Sequence, residues 1–233
     1  MVIPTYNESD NIEPLVSRLL ELPLALDVIV VDDNSPDGTG DLLDAMAARD
    51  SRLLPIHREA KLGLGSAHIR GFKAALDRSY QRVLSMDADF SHDPKHIPAM
   101  IALGESRDVV IGSRYVPGGG TRHCTLARRA LSRTANAFAR AALGLQASDC
   151  TAGFRCYRRQ VLENIDLGSI LADGYSFLIE MLYRVQARGF SVGEVPIVFE
   201  DRRLGASKIS RREIGLALAT VFRLAASRGR AKS

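Results

Sequence analysis

Asp87 and Asp89 stand two residues apart where the apolar run Val83-Leu84-Ser85-Met86 ends, ahead of a segment opened by Pro94. In an extended chain, side chains at i and i+2 point the same way, so this spacing predicts two carboxylates closing on one hard cation. Other strand-like runs end in acids as well: Glu8 lies beyond Val2-Ile3, and Asp32 and Asp33 follow Val28-Ile29-Val30-Val31. Strand ends of a parallel sheet share one edge, so these acids should converge, and there they would repel one another without a cation or ligand donors. For Asp32 or Asp37 taken singly, a role as turn former or helix cap stays open. A divalent metal carrying a diphosphate meets the requirement at Asp87 and Asp89, since Mg²⁺ combines one or two carboxylates with substrate phosphates.

Positive charge is concentrated later. Residues 113–148 hold six arginines and no acid. In the helix expected over Thr125 to Leu145, about 100° per residue puts Arg129, Arg133, Asn136 and Arg140 on one side, opposite Leu131, Phe138 and Ala142. That polar stripe reads as a solvated face or an anionic membrane contact. Arg128 and Ser132 are i,i+4 neighbours at the boundary of the stripes, where a guanidinium fork and a hydroxyl suit a phosphate. Arg202 and Lys208 sit either side of Gly205 in a polar stretch, which reads as a lid over a diphosphate or as a solvated turn. Gly63-Leu64-Gly65 is no dinucleotide fingerprint, because His68 stands where its third glycine belongs.

Positioning these residues requires strands that end at one edge. Val28 to Val31 is a continuous β-branched run, the mark of a strand covered on both faces. Further strands are expected at 1–3, 53–57, 82–86, 109–111, 154–157 and 192–199. Helices are expected at 11–22, 41–49, 66–78, from about Pro94, at 125–145, 175–188 and 211–226. This alternation predicts an α/β fold, a mostly parallel central sheet with helices on both faces. A chain of 233 residues, 46% hydrophobic, suits one domain, 1–233, with the alternation broken after Gly112. Its parts are 1–112, then 113–210, then 211–233 as an amphipathic helix with a basic tail.

The net charge of +4 is mild, and no nucleic-acid partner is expected. Cys124, Cys150 and Cys156 are odd in number and lack metal-ligand spacing, which points to a reducing compartment. No secretory leader is read at Met1, and no run of about 18 apolar residues occurs, so a cytoplasmic location is expected. The last helix, apolar over Ile214 to Phe222 and followed by Arg223, Arg228, Arg230 and Lys232, suits a membrane surface, a membrane partner or packing on its own domain.

Taken together, Val2-Ile3-Pro4-Thr5-Tyr6-Asn7-Glu8, Val31-Asp32-Asp33-Asn34-Ser35-Pro36-Asp37-Gly38-Thr39 and Met86-Asp87-Ala88-Asp89-Phe90-Ser91-His92 resemble the dolichyl-phosphate (polyprenyl-phosphate) mannosyltransferases of glycosyltransferase family 2. Gly112-Ser113-Arg114-Tyr115, Asp149-Cys150-Thr151-Ala152-Gly153-Phe154-Arg155, Gly193-Glu194-Val195-Pro196-Ile197 and the 201–208 loop extend the likeness over nearly the whole chain. The resemblance implies a GT-A (Rossmann-like) fold, GDP-mannose as donor, a polyprenyl phosphate as acceptor, and Mg²⁺ or Mn²⁺. It places Pro4, Tyr6, Glu8, Val31 and Asp33 at the nucleoside, and Asp87, Ala88 and Asp89 at the diphosphate, with the metal on Asp87 and Asp89. Arg202 and Lys208 would close over them, and Arg114, Arg128 and Ser132 would take the acceptor phosphate. Asp89, Arg114 and Arg202 would then act on the reacting groups. Ser91 stands where some relatives carry Gln and is not counted as a metal contact.

A phosphate monoester, with a second pKa of about 6, needs no general base, so the absence of an obvious base from these motifs is tolerable. A glucosyl donor or another UDP-sugar remains an alternative. A nucleotidyltransferase would normally carry a glycine-rich basic loop where Pro4-Thr5-Tyr6-Asn7-Glu8 stands, and a non-catalytic nucleotide-binding or membrane-adaptor module is the third reading.

Overall fold

The computed structural model describes residues 1–200 and 211–230. Seven strands form one sheet in the order β3-β2-β1-β4-β7-β5-β8. They are β1 (Val2–Thr5), β2 (Val28–Asp32), β3 (Leu53–His57), β4 (Arg82–Ser85), β5 (Val109–Ser113), β7 (Arg155–Arg158) and β8 (Val192–Pro196). Only β7 runs antiparallel to its neighbours, β4 and β5, so the sheet is mostly parallel as predicted. In β2, alternation sends Ile29 and Val31 into one core and Val28 and Val30 into another, which is why the run is apolar throughout.

The first core lies under α3 (Leu64–Leu76), α5 (Leu126–Leu143), α6 (Arg159–Asn164), α7 (Tyr175–Ala187) and α8 (Arg211–Arg230). The second lies under α1 (Ser9–Leu20), α2 (Thr39–Ala47) and α4 (Ile97–Leu103). The helix expected from Pro94 opens as a 3-10 turn, Pro94–His96, with Asp93 capping the Lys95 N–H.

Two departures from the sequence reading matter for the site. The strand expected over 192–199 is two strands that meet at Ile197, whose N–H donates to Ser113 O of the main sheet while its carbonyl accepts the Gly120 N–H of a second one. Beyond it, β9 (Val198–Glu200) leaves the main sheet and pairs in parallel with β6 (Gly120–Arg122), a strand the sequence did not announce. The polar stripe of α5 is solvated only in part, with Arg133 and Arg140 exposed and Arg129 half-buried. Asn136 is buried, donating to Ser132 O and Thr151 Oγ1 and accepting from Cys150 N–H, while Leu131 and Phe138 face outward. Two partners on the body, Thr151 Oγ1 and the Cys150 N–H, with Ser132 O of the same helix as a third, satisfy the buried amide.

Candidate active site

The register of β1 on β2 pairs Pro4 with Val31 and Thr5 with Asp32, which brings the first two strand ends level. Pro4 and Val31 are buried in the sheet, while Tyr6 emerges beyond it with Lys61 Nζ 3.9 Å from the centre of its ring. Glu8 is buried; its N–H donates to Thr39 Oγ1 and its carboxylate accepts from Asn11. Asp33 meets Arg58 at 2.7 Å, both side chains nearly buried, and its other oxygen accepts the N–H groups of Leu62 and Gly63. The Arg58 contact on Oδ1 is close but lacks hydrogen-bond alignment, so its attraction is chiefly coulombic. Burial pushes the Asp33 carboxyl up, against the pull of Arg58 and the two N–H groups. Asp33 therefore fixes the 58–63 loop beside Tyr6.

Strand β4 stops at Ser85, so Asp87 and Asp89 lie in the loop beyond it rather than on extended strand. The i,i+2 argument does not apply there, and a local turn replaces it. Asp89 is buried and accepts both the N–H and the hydroxyl of Ser91, with Phe90 between them at a φ of 58°. Ala88 is buried behind. The Asp87 side chain is 30% exposed, with His92 Nδ1 3.8 Å from its Oδ2. Burial pushes the His92 pKa down, against the nearby Asp87 and Asp89 charges. A Cβ at Gly153 would fall 3.1 Å from Asp87 Oδ1, so the glycine leaves that carboxylate room. Among the described residues no group of three or more His, Cys, Asp or Glu side chains converges. Two carboxylates fit a Mg²⁺ or Mn²⁺ whose other ligands are substrate phosphates.

The third wall starts at the end of β5. Arg114 lies side-on to Asp149, with Nε to Oδ2 and Nη2 to Oδ1 both at 2.7 Å, and Nη2 also donates to Thr151 Oγ1. The Asp149 side chain is fully buried and the Arg114 side chain 13% exposed. Burial opposes ionisation of Asp149, but the hydrogen bonds and charge of Arg114 hold its carboxyl below the usual range. The guanidinium also lies near the rings of Tyr115 and Phe199, 5.1 and 5.4 Å to their centres. Tyr115 Oη and Ser132 Oγ are 2.7 Å apart, so Arg114 and Ser132 are brought together through one tyrosine. Arg128 stands one turn earlier on α5, its N–H capped by Thr125 Oγ1. Arg202 and Lys208 lie outside the described residues.

Phe199 stacks edge-on against His92, 5.5 Å between ring centres, and Ser91 O accepts the Glu200 N–H. One aromatic pair thus connects the Asp87–Asp89 loop to Arg114 and to the start of the 201–210 segment. No role had been read for Arg58, Lys61, His92, Asp149 or Phe199. His92 and Asp149 carried a signal, since both stand in motifs that resemble the family; Arg58, Lys61 and Phe199 carried none.

Glycosyl transferase family 2 matches residues 1–166. The chain is 46% identical over 216 residues to polyprenol monophosphomannose synthase of Mycolicibacterium smegmatis, covering 92% of this chain and 82% of that protein. It is 43% identical over 222 residues to undecaprenyl-phosphate mannosyltransferase of Micrococcus luteus, covering 95% and 91%. Among solved structures, glucosyl-3-phosphoglycerate synthase from Mycobacterium tuberculosis with phosphoglyceric acid superposes at a TM-score of 0.67, 22% identity, 97% of this chain and 79% of that one. The same enzyme with Mn²⁺ and UDP-glucose gives 0.66, 22%, 97% and 78%. At that identity the superposition shows the fold, that of the GT-A enzymes. The match over most of the chain, the two relatives and the shared architecture agree: the chain is an enzyme of glycosyltransferase family 2.

Proposed function

We propose that the chain is a metal-dependent, inverting transferase that moves mannose from GDP-mannose to a polyprenyl phosphate. The carrying observation is that His92 on Phe199, and Phe199 on the Arg114 guanidinium, join the Asp87-Ala88-Asp89 loop to the Arg114–Tyr115–Ser132 cluster. One side is acidic and suited to a metal-bound diphosphate; the other offers the guanidinium of Arg114, the Ser132 hydroxyl and, one turn away, Arg128 as donors to a second anion. The names of both mannosyl-transferring relatives support the sugar and the lipid acceptor.

In this reading the 58–63 loop, held by Asp33, and Tyr6 receive the nucleoside, with Pro4, Glu8 and Val31 shaping the floor beneath it. Asp87 and Asp89 would hold Mg²⁺ or Mn²⁺, which supplies charge compensation for the leaving diphosphate. Arg128 and Ser132 receive the acceptor phosphate, and Asp149 sets the orientation in which Arg114 meets it. Arg202 and Lys208 close over the diphosphate. A phosphate monoester is largely a dianion at neutral pH and attacks without a base, so buried His92 is left to brace Asp87. A single direct displacement from an α-linked donor gives the β product. Bringing two anions into line is the main task, and it is one of positioning.

The acceptor lives in a membrane, and the chain meets it peripherally, on the cytoplasmic face. No helix among the described residues is long and apolar enough to cross a membrane. Instead Leu131 and Phe138 of α5 and Leu216, Leu218 and Phe222 of α8 are exposed, with Phe138 edge-on to Phe222 at 5.9 Å. That surface suits lipid. The test offers GDP-mannose, GDP-glucose, UDP-glucose and UDP-mannose with polyprenyl phosphate and Mg²⁺ or Mn²⁺, and identifies the lipid product. Transfer from GDP-mannose alone supports the proposal; a preferred UDP-sugar donor overturns the donor assignment, and no lipid product from any donor overturns the acceptor.

A further inference from the structure

Helix α5 rests on the body by Asn136, Ala139 and Leu143, and its two flanks differ. One exposes Leu131 and sets Phe138 edge-on to Phe222 of α8. The other presents Arg133 and Arg140, seven residues and nearly two full turns apart, to a cavity of about 490 Å³ between α5 and the 114–119 loop. Tyr115 lines this cavity, while Arg128 and Ser132, which receive the acceptor phosphate in the reading above, are not among its lining residues. The Tyr115 hydroxyl is spent on Ser132, and Arg133 lies over its ring, 6.0 Å to the centre.

The charge balance of the cavity is positive. Arg114 also lines it, but its charge is matched by buried Asp149. Asn136, on the floor, has its amide committed to Ser132, Thr151 and Cys150. Among the described residues, neither Arg133 nor Arg140 makes an ion pair, and residues 113–148 contain no acid to supply one. Two uncompensated guanidiniums in a concave site suit a phosphate ester, which takes forked hydrogen bonds.

We propose that this cavity binds the phosphate headgroup of an anionic membrane phospholipid, as a site separate from that of the acceptor. The proposal deepens the membrane-facing reading given above and rests on it. A lipid surface laid across the exposed back of α5 meets acyl chains on the Leu131 and Phe138 flank and headgroup phosphates on the Arg133 and Arg140 flank. The headgroup then anchors α5 with its Arg128 and Ser132 turn at the depth of a polyprenyl phosphate.

The test compares wild type, R133Q/R140Q and R122Q/R129Q, the last removing equal charge from the same region outside the cavity. Sedimentation with phosphatidylglycerol vesicles, phosphatidylcholine vesicles and phosphatidylglycerol vesicles plus glycerol 3-phosphate measures binding. Transfer to a polyprenyl phosphate in neutral detergent micelles measures activity. The expected result is about a 30-fold loss of phosphatidylglycerol binding for R133Q/R140Q, clearly more than for R122Q/R129Q, with the acceptor KM within about twofold of wild type. Equal losses in the two double variants overturn the site in favour of general charge attraction. Unchanged vesicle binding with a raised acceptor KM assigns the cavity to the acceptor and also overturns it. Full competition by glycerol 3-phosphate at its ordinary cellular concentrations overturns the membrane source of the phosphate. Wild-type protein that binds vesicles but transfers no sugar to any polyprenyl phosphate refutes the proposed reaction and leaves the headgroup site standing.

Discussion

Replacing Asp149 by Asn removes one charge from a pair that is almost wholly shielded from water. Asp149 is fully buried and accepts from Arg114 N, Nε and Nη2, while Arg114 keeps 13% exposure. Breaking a buried pair from one side costs about 3–5 kcal/mol, because the remaining charge is stranded. The carbonyl of Asn retains one acceptor and Arg114 retains some water, so the low end applies, about 3 kcal/mol. With an unfolding entropy of about 2.1 cal/mol/K per residue, that loss lowers Tm by roughly 6 °C for this chain. Thermal unfolding followed by circular dichroism measures it, and R114Q/D149N completes a double-mutant cycle. The double variant should unfold later than the sum of the single losses predicts, because no charge is left stranded. In assays with GDP-mannose, D149N should raise the KM for polyprenyl phosphate about tenfold or more, the size of one charge-assisted hydrogen bond, with the donor KM little changed. The folded pKa of Asp149 lies below its unfolded value, so the pair stabilises the fold above about pH 4 and loses that contribution as pH falls through the folded pKa. Wild-type stability in D149N, or strictly additive losses in the cycle, would refute the clamp.

Asp89→Asn keeps a carbonyl for the N–H and hydroxyl of Ser91, so the fold should survive, while transfer should fall at least about a hundredfold; near wild-type turnover would remove the metal assignment. Glu180 is fully buried and paired with both Arg184 and Arg223, so Glu180→Gln should cost about 3 kcal/mol and raise amide exchange chiefly in α8. His68 is buried between Phe72 and Phe177 with Nε2 lacking a hydrogen-bond partner, and burial pushes its pKa down to about 4. The unfolded chain therefore binds a proton that the folded chain refuses, and about 3 kcal/mol of stability is lost as pH falls from 6.5 to 4. Urea titrations of His68→Phe across that window should show a correspondingly flatter loss, and an unchanged slope would show that His68 does not titrate there.

The sheet was legible because its strongest signal, Val28 to Val31, is a run that only double coverage tolerates, and the two cores divide it residue by residue. Strand β7 was harder, since Arg155 breaks the apolar pattern. It is buried because its guanidinium donates to three backbone carbonyls, those of nearby Cys150 and Ala152 and of distant Leu178, which no strand pattern reveals. Helix α5 buries Asn136 and exposes Leu131 and Phe138 for a similar reason, although Arg133 and Arg140 of the polar stripe do stay exposed. A helical wheel ranks Phe138 above Asn136 for burial, but it cannot count the hydrogen-bond partners awaiting Asn136. At the site, residue types and spacing suggested the acidic and arginine-bearing groups, whereas Asp149 and Phe199 owe their roles to contacts between remote segments.

Those contacts converge on residues 149–155, which touch both sides of the proposed reaction. At one end Asp149 fixes Arg114, and at the middle Gly153 abuts Asp87 while Ser85 Oγ donates to its carbonyl. Glu194 accepts the N–H groups of Ser148 and Asp149, Asn136 accepts that of Cys150, and Arg155 pins the carbonyls of Cys150 and Ala152. Nearly every residue of the segment is held by something outside it, so its two ends cannot drift apart independently. Misplacing a reacting group by about 1 Å costs on the order of a hundredfold in rate. The proposed displacement between two anions needs such a spacer more than it needs a base, and in that reading Asp149 to Arg155 supplies it from buried polar groups rather than from the Asp87–Asp89 loop.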